Sequence, residues 1–185
     1  MIRRPAYGIV VGVVTFAIAL GFAFCSARLK AQEHAATVSV AALEKLLPAL
    51  AGWTKVDTKS DQVVVSADCS HPIASVVYTQ GDMRVKITLA DSGANQNSLI
   101  LLAPMVVMLP EGYSEHVPPA TKVLRLQRNG AQVAERWDEQ TGDGEVTMLI
   151  KGRFVASAEG SRLASLETLR GILATIDFKN LAELK

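Results

Sequence analysis

Cysteine is scarce in this chain, and its scarcity limits how the protein can be stabilised. Only Cys25 and Cys69 occur among the 185 residues. Cys25 lies inside an apolar N-terminal run, so one cysteine is left for the remainder, and a single cysteine cannot close an internal disulfide. The fold must therefore depend on a hydrophobic core, and we expect Cys69 to be buried in it as a small apolar residue.

Clustered positive charge is also missing. Residues 33–185 carry 15 basic and 18 acidic residues, with no basic block. Nucleic acids and anionic lipid headgroups are bound through positively charged surfaces. The composition therefore argues against nucleic-acid binding and against binding to anionic headgroups.

Short catalytic motifs are absent as well. The chain has no G-x-S-x-G, no H-E-x-x-H and no glycine-rich phosphate loop, and nothing in its pattern calls for a cofactor. Because catalytic groups can be scattered along a sequence, this absence favours a non-enzymatic protein without excluding an enzyme.

The longest feature that is present is an apolar run from Pro5 to Ala27, 23 residues without a charge. As a helix it would span about 35 Å, enough to cross a bilayer. The apolar core of a cleavable signal peptide is shorter, roughly 7–15 residues. Residues 1–32 are therefore predicted to be an uncleaved membrane anchor with its flank. Arg3 and Arg4 outweigh Arg28 and Lys30 when the α-amino group is counted, which predicts a single pass with the N-terminus inside and, in a bacterium, the following domain in the periplasm.

Two alternatives concern the same run. Small residues at Ala27 and Ala31 are suitable for signal cleavage, which would give a secreted soluble protein. Gly8 and Gly12 form a G-x-x-x-G pair, a spacing that lets membrane helices pack closely and would support a homodimer. Phe24 precedes Cys25 where a lipid-modified cysteine requires a small residue, so lipidation is disfavoured.

Residues 33–37 are predicted to be a spacer and residues 38–185 a single α+β domain. Alternation is clearest where Met83, Val85, Ile87 and Leu89 are separated by polar residues, the period of a half-buried strand. Successive turn signals then predict an antiparallel sheet of about six strands flanked by helices. Seven segments have the pattern of candidate strands for this sheet, at 62–67, 73–79, 83–89, 122–128, 131–138, 145–151 and 153–159. Helices are predicted before Pro48, over 97–109 with a break near Pro104, and from Leu166 onward.

Cys69 and His71 form the only cluster with metal-ligand residue types. A thiolate and an imidazole two positions apart could supply two ligands to copper or zinc. A site needs three or four ligands, and the pattern places no others nearby. The alternative interpretation is a loop histidine beside a buried cysteine.

Glu135 is a second candidate. A two-residue turn at Asn129-Gly130 would set Leu124 opposite Glu135 and put Glu135 on the same strand face as Val133 and Trp137. An inward carboxylate is costly unless it is paired. It is therefore either a functional acid or the partner of an arginine or of the sheet edge.

The order of several short landmarks resembles that of uncharacterised bacterial envelope domains, which are similar in layout to PsbP/Mog1-like folds. The landmarks are Leu46-Leu47-Pro48 with Gly52-Trp53, then Asp91-Ser92-Gly93, then Gly152-Arg153-Phe154, then Ile176-Asp177. The resemblance covers most of residues 38–178 and implies a central antiparallel sheet flanked by helices. It also implies a binding module accessory to a larger membrane complex, and no catalytic residue.

The function expected from the sequence is accordingly a membrane-tethered periplasmic accessory module. It would act through protein–protein contact or by binding a small apolar ligand against the sheet. The alternative is an envelope enzyme or a metal or redox factor that uses Cys69, His71 and Glu135.

Overall fold

Eight antiparallel strands form one sheet in the computed structural model, which describes residues 37–66, 69–117, 121–128 and 130–185. Across the sheet the strands lie in the order β1-β2-β3-β8-β7-β6-β5-β4. Their bounds are β1 Thr54–Ser66, β2 Cys69–Gln80, β3 Met83–Asp91, β4 Ser114–Val117, β5 Thr121–Arg128, β6 Ala131–Asp138, β7 Asp143–Ile150 and β8 Phe154–Ser161.

The sheet consists of two meanders that meet at one seam. Strands β1 to β3 pair in sequence order, and so do β4 to β8. β3 lies against β8 in a register that runs from Arg84 opposite Ser161 to Asp91 opposite Phe154. Both seam strands lie inside the sheet, and they come from distant parts of the chain. The core at the seam is therefore built from residues that are far apart in sequence.

Five short helices of the described residues pack on the sheet. They are α1 Val40–Glu44, α2 Gln96–Leu102, α3 Pro104–Met108, α4 Leu166–Leu173 and α5 Phe178–Glu183. Helix α1 packs on β1 to β3 and α4 on β7 and β8, and Leu181 of α5 joins the same core. We call this side of the sheet the α4 face. It holds the larger core, in which Ile87, Leu89 and Leu169 are fully buried.

The opposite side, the α2 face, is only partly covered. Helix α3 packs on β6 and β7, and Leu99 and Val106 close a smaller core over Ala90 and Leu149. Asn95 caps α2 by accepting from the amides of residues 97 and 98. Pro104 begins α3 after Ala103 leaves helical geometry, so the predicted break near Pro104 is confirmed.

Several expectations hold. The α+β class, the alternating strand from Met83, and the hairpin in which Leu124 faces Glu135 are all present. Arg128 lies opposite Ala131, the spacing of a two-residue turn. Helices lie on both sides of the sheet, as an antiparallel sheet with two apolar faces requires.

Other expectations are wrong in extent. The sheet has eight strands rather than about six. Strand β1 begins at Thr54, eight residues before the strand that was predicted at 62–67. It is an edge strand whose residues 54–62 are exposed, and its backbone pairing with β2 stabilises it. Because these residues are not buried, their sequence shows no alternation of apolar and polar side chains. A short strand, β4, forms where a loop was expected. The predicted last helix is divided into two helices, α4 and α5. Asp177 caps the second of them by accepting from the amide of residue 180.

The predicted anchor and residues 33–36 of the predicted spacer, with Gly8, Gly12 and Cys25, lie outside the described residues. Within the described ranges, no helix has the length and hydrophobicity needed to cross a membrane.

Candidate functional site

A row of charged side chains crosses the open part of the α2 face. The pairing registers place one residue of this row on each strand. In order from β1 to β4 the row, which we call the charged row, is Asp57, Val77, Lys86, Glu159, Glu145, Arg136, Val123 and Glu115. Its charges read the same from either edge, with two carboxylates at the centre and one cation on each side of them.

The charged row is internally paired, but loosely. Lys86 Nζ lies 3.6 Å from Glu159 Oε1, and an Arg136 guanidinium nitrogen lies 3.6 Å from Glu145 Oε2. Glu145 and Glu159 stand directly opposite each other, and like charges at opposed positions are destabilising. The two central carboxylates therefore repel each other, and each is balanced by a single cation held at 3.6 Å.

A row of hydroxyls runs beside it, between the charged row and the helices. Ser75, Thr88, Ser157 and Thr147 occupy opposed positions on β2, β3, β8 and β7. Thr147 donates to Glu145 Oε1 at 2.9 Å. Thr88 Oγ1 is buried and has no hydrogen-bond partner among the described residues. These small side chains project less from the sheet than the longer side chains of the charged row.

On the other side of the charged row the surface is hollow. A depression of about 410 Å³ is bounded by Arg84, Lys86, Arg136, Asp143 and Glu159. Arg84 makes no ion pair with any described residue. The hollow thus offers one available guanidinium beside the paired charges, a setting for polar rather than apolar contact.

His71 lies elsewhere, buried beneath α2. Its Nδ1 lies 3.2 Å from the carbonyl oxygen of Asp91, and its Nε2 lies 2.5 Å from Ser98 Oγ. Since a carbonyl only accepts, Nδ1 carries a proton, and in the neutral imidazole Nε2 then accepts from the Ser98 hydroxyl. The imidazole fastens α2 to the sheet. The side chain of Cys69 lies outside the described part, and the described residues contain no group of three or more histidine, cysteine or acidic side chains that could hold a metal ion.

Glu135 is buried on the α4 face, and Arg170 of α4 pairs with it in bidentate fashion. The Arg170 Nε donates to Glu135 Oε1 at 2.9 Å, and a second guanidinium nitrogen donates to Oε2. Glu167 also accepts from this arginine. Hydrogen bonding to Glu135 is the main cause of the raised pKa of Arg170. The carboxylate thus fixes α4 on the sheet. Pairing with an arginine was one of the alternatives predicted for Glu135.

The most elaborate polar cluster was not predicted from the sequence. Asp91, fully buried, accepts from Arg153 Nε at 2.8 Å and from a second Arg153 nitrogen at 2.7 Å. It also accepts from the backbone amides of Val38 and Gly93 at 2.9 and 2.8 Å. Burial, the largest single influence, opposes ionisation, but these four bonds together outweigh it, so the pKa of Asp91 lies below its usual value.

The Asp91 cluster fastens three parts of the chain to the seam. Val38 brings the start of the body, Gly93 brings the turn into α2, and Arg153 brings the β7–β8 turn. The sequence carried one signal for this cluster. Asp91 and Arg153 have opposite charges, and Asp91 ends one strand while Arg153 comes directly before another.

Neither a family model, a curated protein nor a solved structure matches this chain. The resemblance to envelope domains of PsbP/Mog1-like layout therefore stays a prediction.

Proposed function

We propose that this protein is a non-enzymatic accessory module, tethered to the bacterial cytoplasmic membrane by residues 5–27, that binds a protein partner in the periplasm through the charged row. The observation that carries the proposal is the half-uncovered α2 face. Sheet surface that none of the described helices covers carries an ordered, loosely paired set of charges. Complementary charges across an interface give specificity and speed association.

The chemistry of the partner follows from the order of charges. Glu145 and Glu159 repel each other at the centre of the row, and a lysine or arginine of the partner placed between them would relieve that repulsion. Arg84, at the hollow beside the row, suits a carboxylate of the partner. We therefore expect a partner surface with a basic centre and an acidic neighbour.

Protein contact is favoured over the apolar-ligand alternative by the lining and size of the cavities that the described residues form. A depression of about 400 Å³ beside α1 is bounded by Leu47 and Tyr78 but also by the charged Glu44 and Lys55. Val133, Met148, Leu173 and Phe178 bound a cavity of about 110 Å³ on the α4 face. Pockets for drug-sized ligands are usually about 300–1,000 Å³. The larger hollow on the α2 face is bounded by charges, which suits polar side chains.

Charge reversal with in-membrane cross-linking tests the proposal. A photoreactive residue replaces Thr79, which lies beside Arg84 on the α2 face, and in a second protein it replaces Lys179 of α5. We expect a discrete cross-linked product from position 79 only. Glu159→Lys should abolish that product, whereas the matched control Glu183→Lys on exposed α5 should leave it unchanged. A lone monomer from solubilised membranes, with no product at position 79, would refute the proposal.

An envelope enzyme is the second candidate, and the contact of Ser98 Oγ with His71 Nε2 is the observation that favours it. Hydroxyl–imidazole pairs of this kind activate serine nucleophiles. Ser98 is 0% exposed and His71 2% exposed, so a substrate would reach them only after α2 moved. Metal analysis of the purified protein with and without Cys69→Ser, together with labelling by a serine-reactive phosphonate, tests this candidate.

A further inference from the structure

The outer surface of α2 and α3 is unusually apolar. Ile100, Leu101 and Met108 are 43%, 62% and 70% exposed, and among the described residues the only other large hydrophobic side chain this exposed is Val56. We call these three residues the α2–α3 patch. Exposed apolar side chains grouped on two successive helices are typical of a contact with another molecule or with a membrane.

The segment that carries the α2–α3 patch also lacks charge. From Ser92 to Pro110 no residue is acidic or basic. A basic or acidic side chain among the apolar ones would make insertion into lipid costly, because charged groups are expensive to remove from water. The segment therefore carries no electrostatic penalty against contact with acyl chains.

The position of Val38 relates this patch to the membrane. The Val38 amide and the Gly93 amide bind the two oxygens of the same carboxylate, Asp91, so the chain enters its folded body beside the turn that leads into α2. Ten residues, 28–37, separate Val38 from the apolar run that ends at Ala27. Fully extended, ten residues reach at most about 35 Å.

We infer that the α2–α3 patch rests on the bilayer that holds the tether, with Ile100, Leu101 and Met108 inserted at the boundary between headgroups and acyl chains. This inference rests on the proposed tether. The occupant is the lipid itself, recognised through apolar contact alone, since the domain has no basic block for anionic headgroups. Three features favour this contact. The tether is short, the chain enters the folded domain beside α2, and the patch is apolar and uncharged.

Lipid-attached quenchers test the contact in the full-length protein. The chain is reconstituted in phosphatidylcholine vesicles that contain doxyl-labelled phosphatidylcholine, with one genetically encoded fluorescent residue in place of Leu101, Met108 or, as the control on exposed α5, Lys179. We expect the quencher to reduce the fluorescence about twofold at positions 101 and 108, because interfacial helices bury their apolar side chains at the boundary between headgroups and acyl chains. The fluorescence at position 179 should not change. Met108→Asp should restore the fluorescence at position 101.

Three other results would overturn the inference. Equal fluorescence at 101 and 179 with and without quencher would mean that the patch faces water or awaits a protein. A blue-shifted, unquenched signal at 101 that grows with the protein-to-lipid ratio would mean that a second copy covers it. Quenching that persists in Met108→Asp would mean that the patch does not insert as a unit.

Flotation of the same vesicles after carbonate extraction separates this inference from the proposed function. If the protein floats but position 101 is not quenched, the tether stands and the surface contact fails. If the protein does not float, the tether itself fails, and with it the proposed function.

Discussion

The Asp91 cluster gives the sharpest test of how this fold is held together. Asp91→Asn keeps the volume of the side chain but removes its charge and turns one acceptor oxygen into a donor nitrogen. Each Asp91 oxygen accepts from one Arg153 nitrogen and one backbone amide, so the new nitrogen would face two groups that also donate. The substitution therefore breaks bonds without leaving a cavity.

The expected loss can be bounded from the contacts. Removing one partner of a buried ion pair costs about 3–5 kcal/mol. The Arg153 side chain is 19% exposed, so water recovers part of its solvation, while at least one other donor loses its acceptor at about 1 kcal/mol. We expect Asp91→Asn to lower the free energy of unfolding by about 3 kcal/mol.

Urea unfolding of the detergent-solubilised full chain, followed by the fluorescence of Trp53 and Trp137, measures this loss. Asp57→Asn is the matched control, because its carboxylate is exposed and its only ion pair among the described residues, with Lys59, is 3.7 Å long. The control should lose less than about 1 kcal/mol. Equal losses in the two variants would refute the assignment of Asp91 as the fastening of the seam.

The pH dependence gives an independent check on the same residue. A carboxyl whose pKa is lowered by folding stabilises the protein above its unfolded value, about 3.9, and that stability disappears as the pH falls through the folded value. The pKa of Asp91 is lowered in this way. The stability difference between wild type and Asp91→Asn should therefore be full at neutral pH and shrink only below about pH 4.

Two further predictions use the same unfolding assay. Glu135→Ala should cost about 2–4 kcal/mol, because it leaves Arg170 at a partly buried site with the exposed Glu167 in place of its buried bidentate partner. Arg170→Met in that background should recover part of the loss; no recovery would mean that the pair is not what holds α4. Gly142→Ala should cost more than Gly152→Ala, since both glycines have positive φ but only at position 142 would a Cβ lie 2.5 Å from a backbone oxygen, that of Leu163. Gly152→Ala should lose only about 1 kcal/mol, the cost of the left-handed conformation, and equal losses at the two glycines would contradict the contact.

Local features of this fold could be predicted because neighbouring residues determine them. The alternation from Met83 and the Asn129-Gly130 turn signal depend on a few adjacent positions, and both predicted the correct register. Pro104 breaks the helix at its own position for steric reasons. The inward direction of Glu135 followed from that hairpin register alone.

Non-local features could not be predicted in this way. The charged row exists only because β3 pairs with β8, which brings Lys86 beside Glu159, and no local pattern encodes that pairing. The contact of Ser98 with His71 likewise depends on how α2 lies across the sheet. Strand β1 was misjudged because an exposed edge strand is held by backbone pairing and leaves little trace in hydrophobicity.

The seam between β3 and β8 has a consequence for how the chain acquires its structure. Each meander joins strands that are close in sequence, so its hairpins can form early, whereas the seam must bring together residues more than sixty positions apart. Seam closure should therefore limit the refolding rate. A polypeptide divided at the exposed turn of residues 111–112 would keep both meanders whole, and its two fragments should reassemble through the seam when they are mixed.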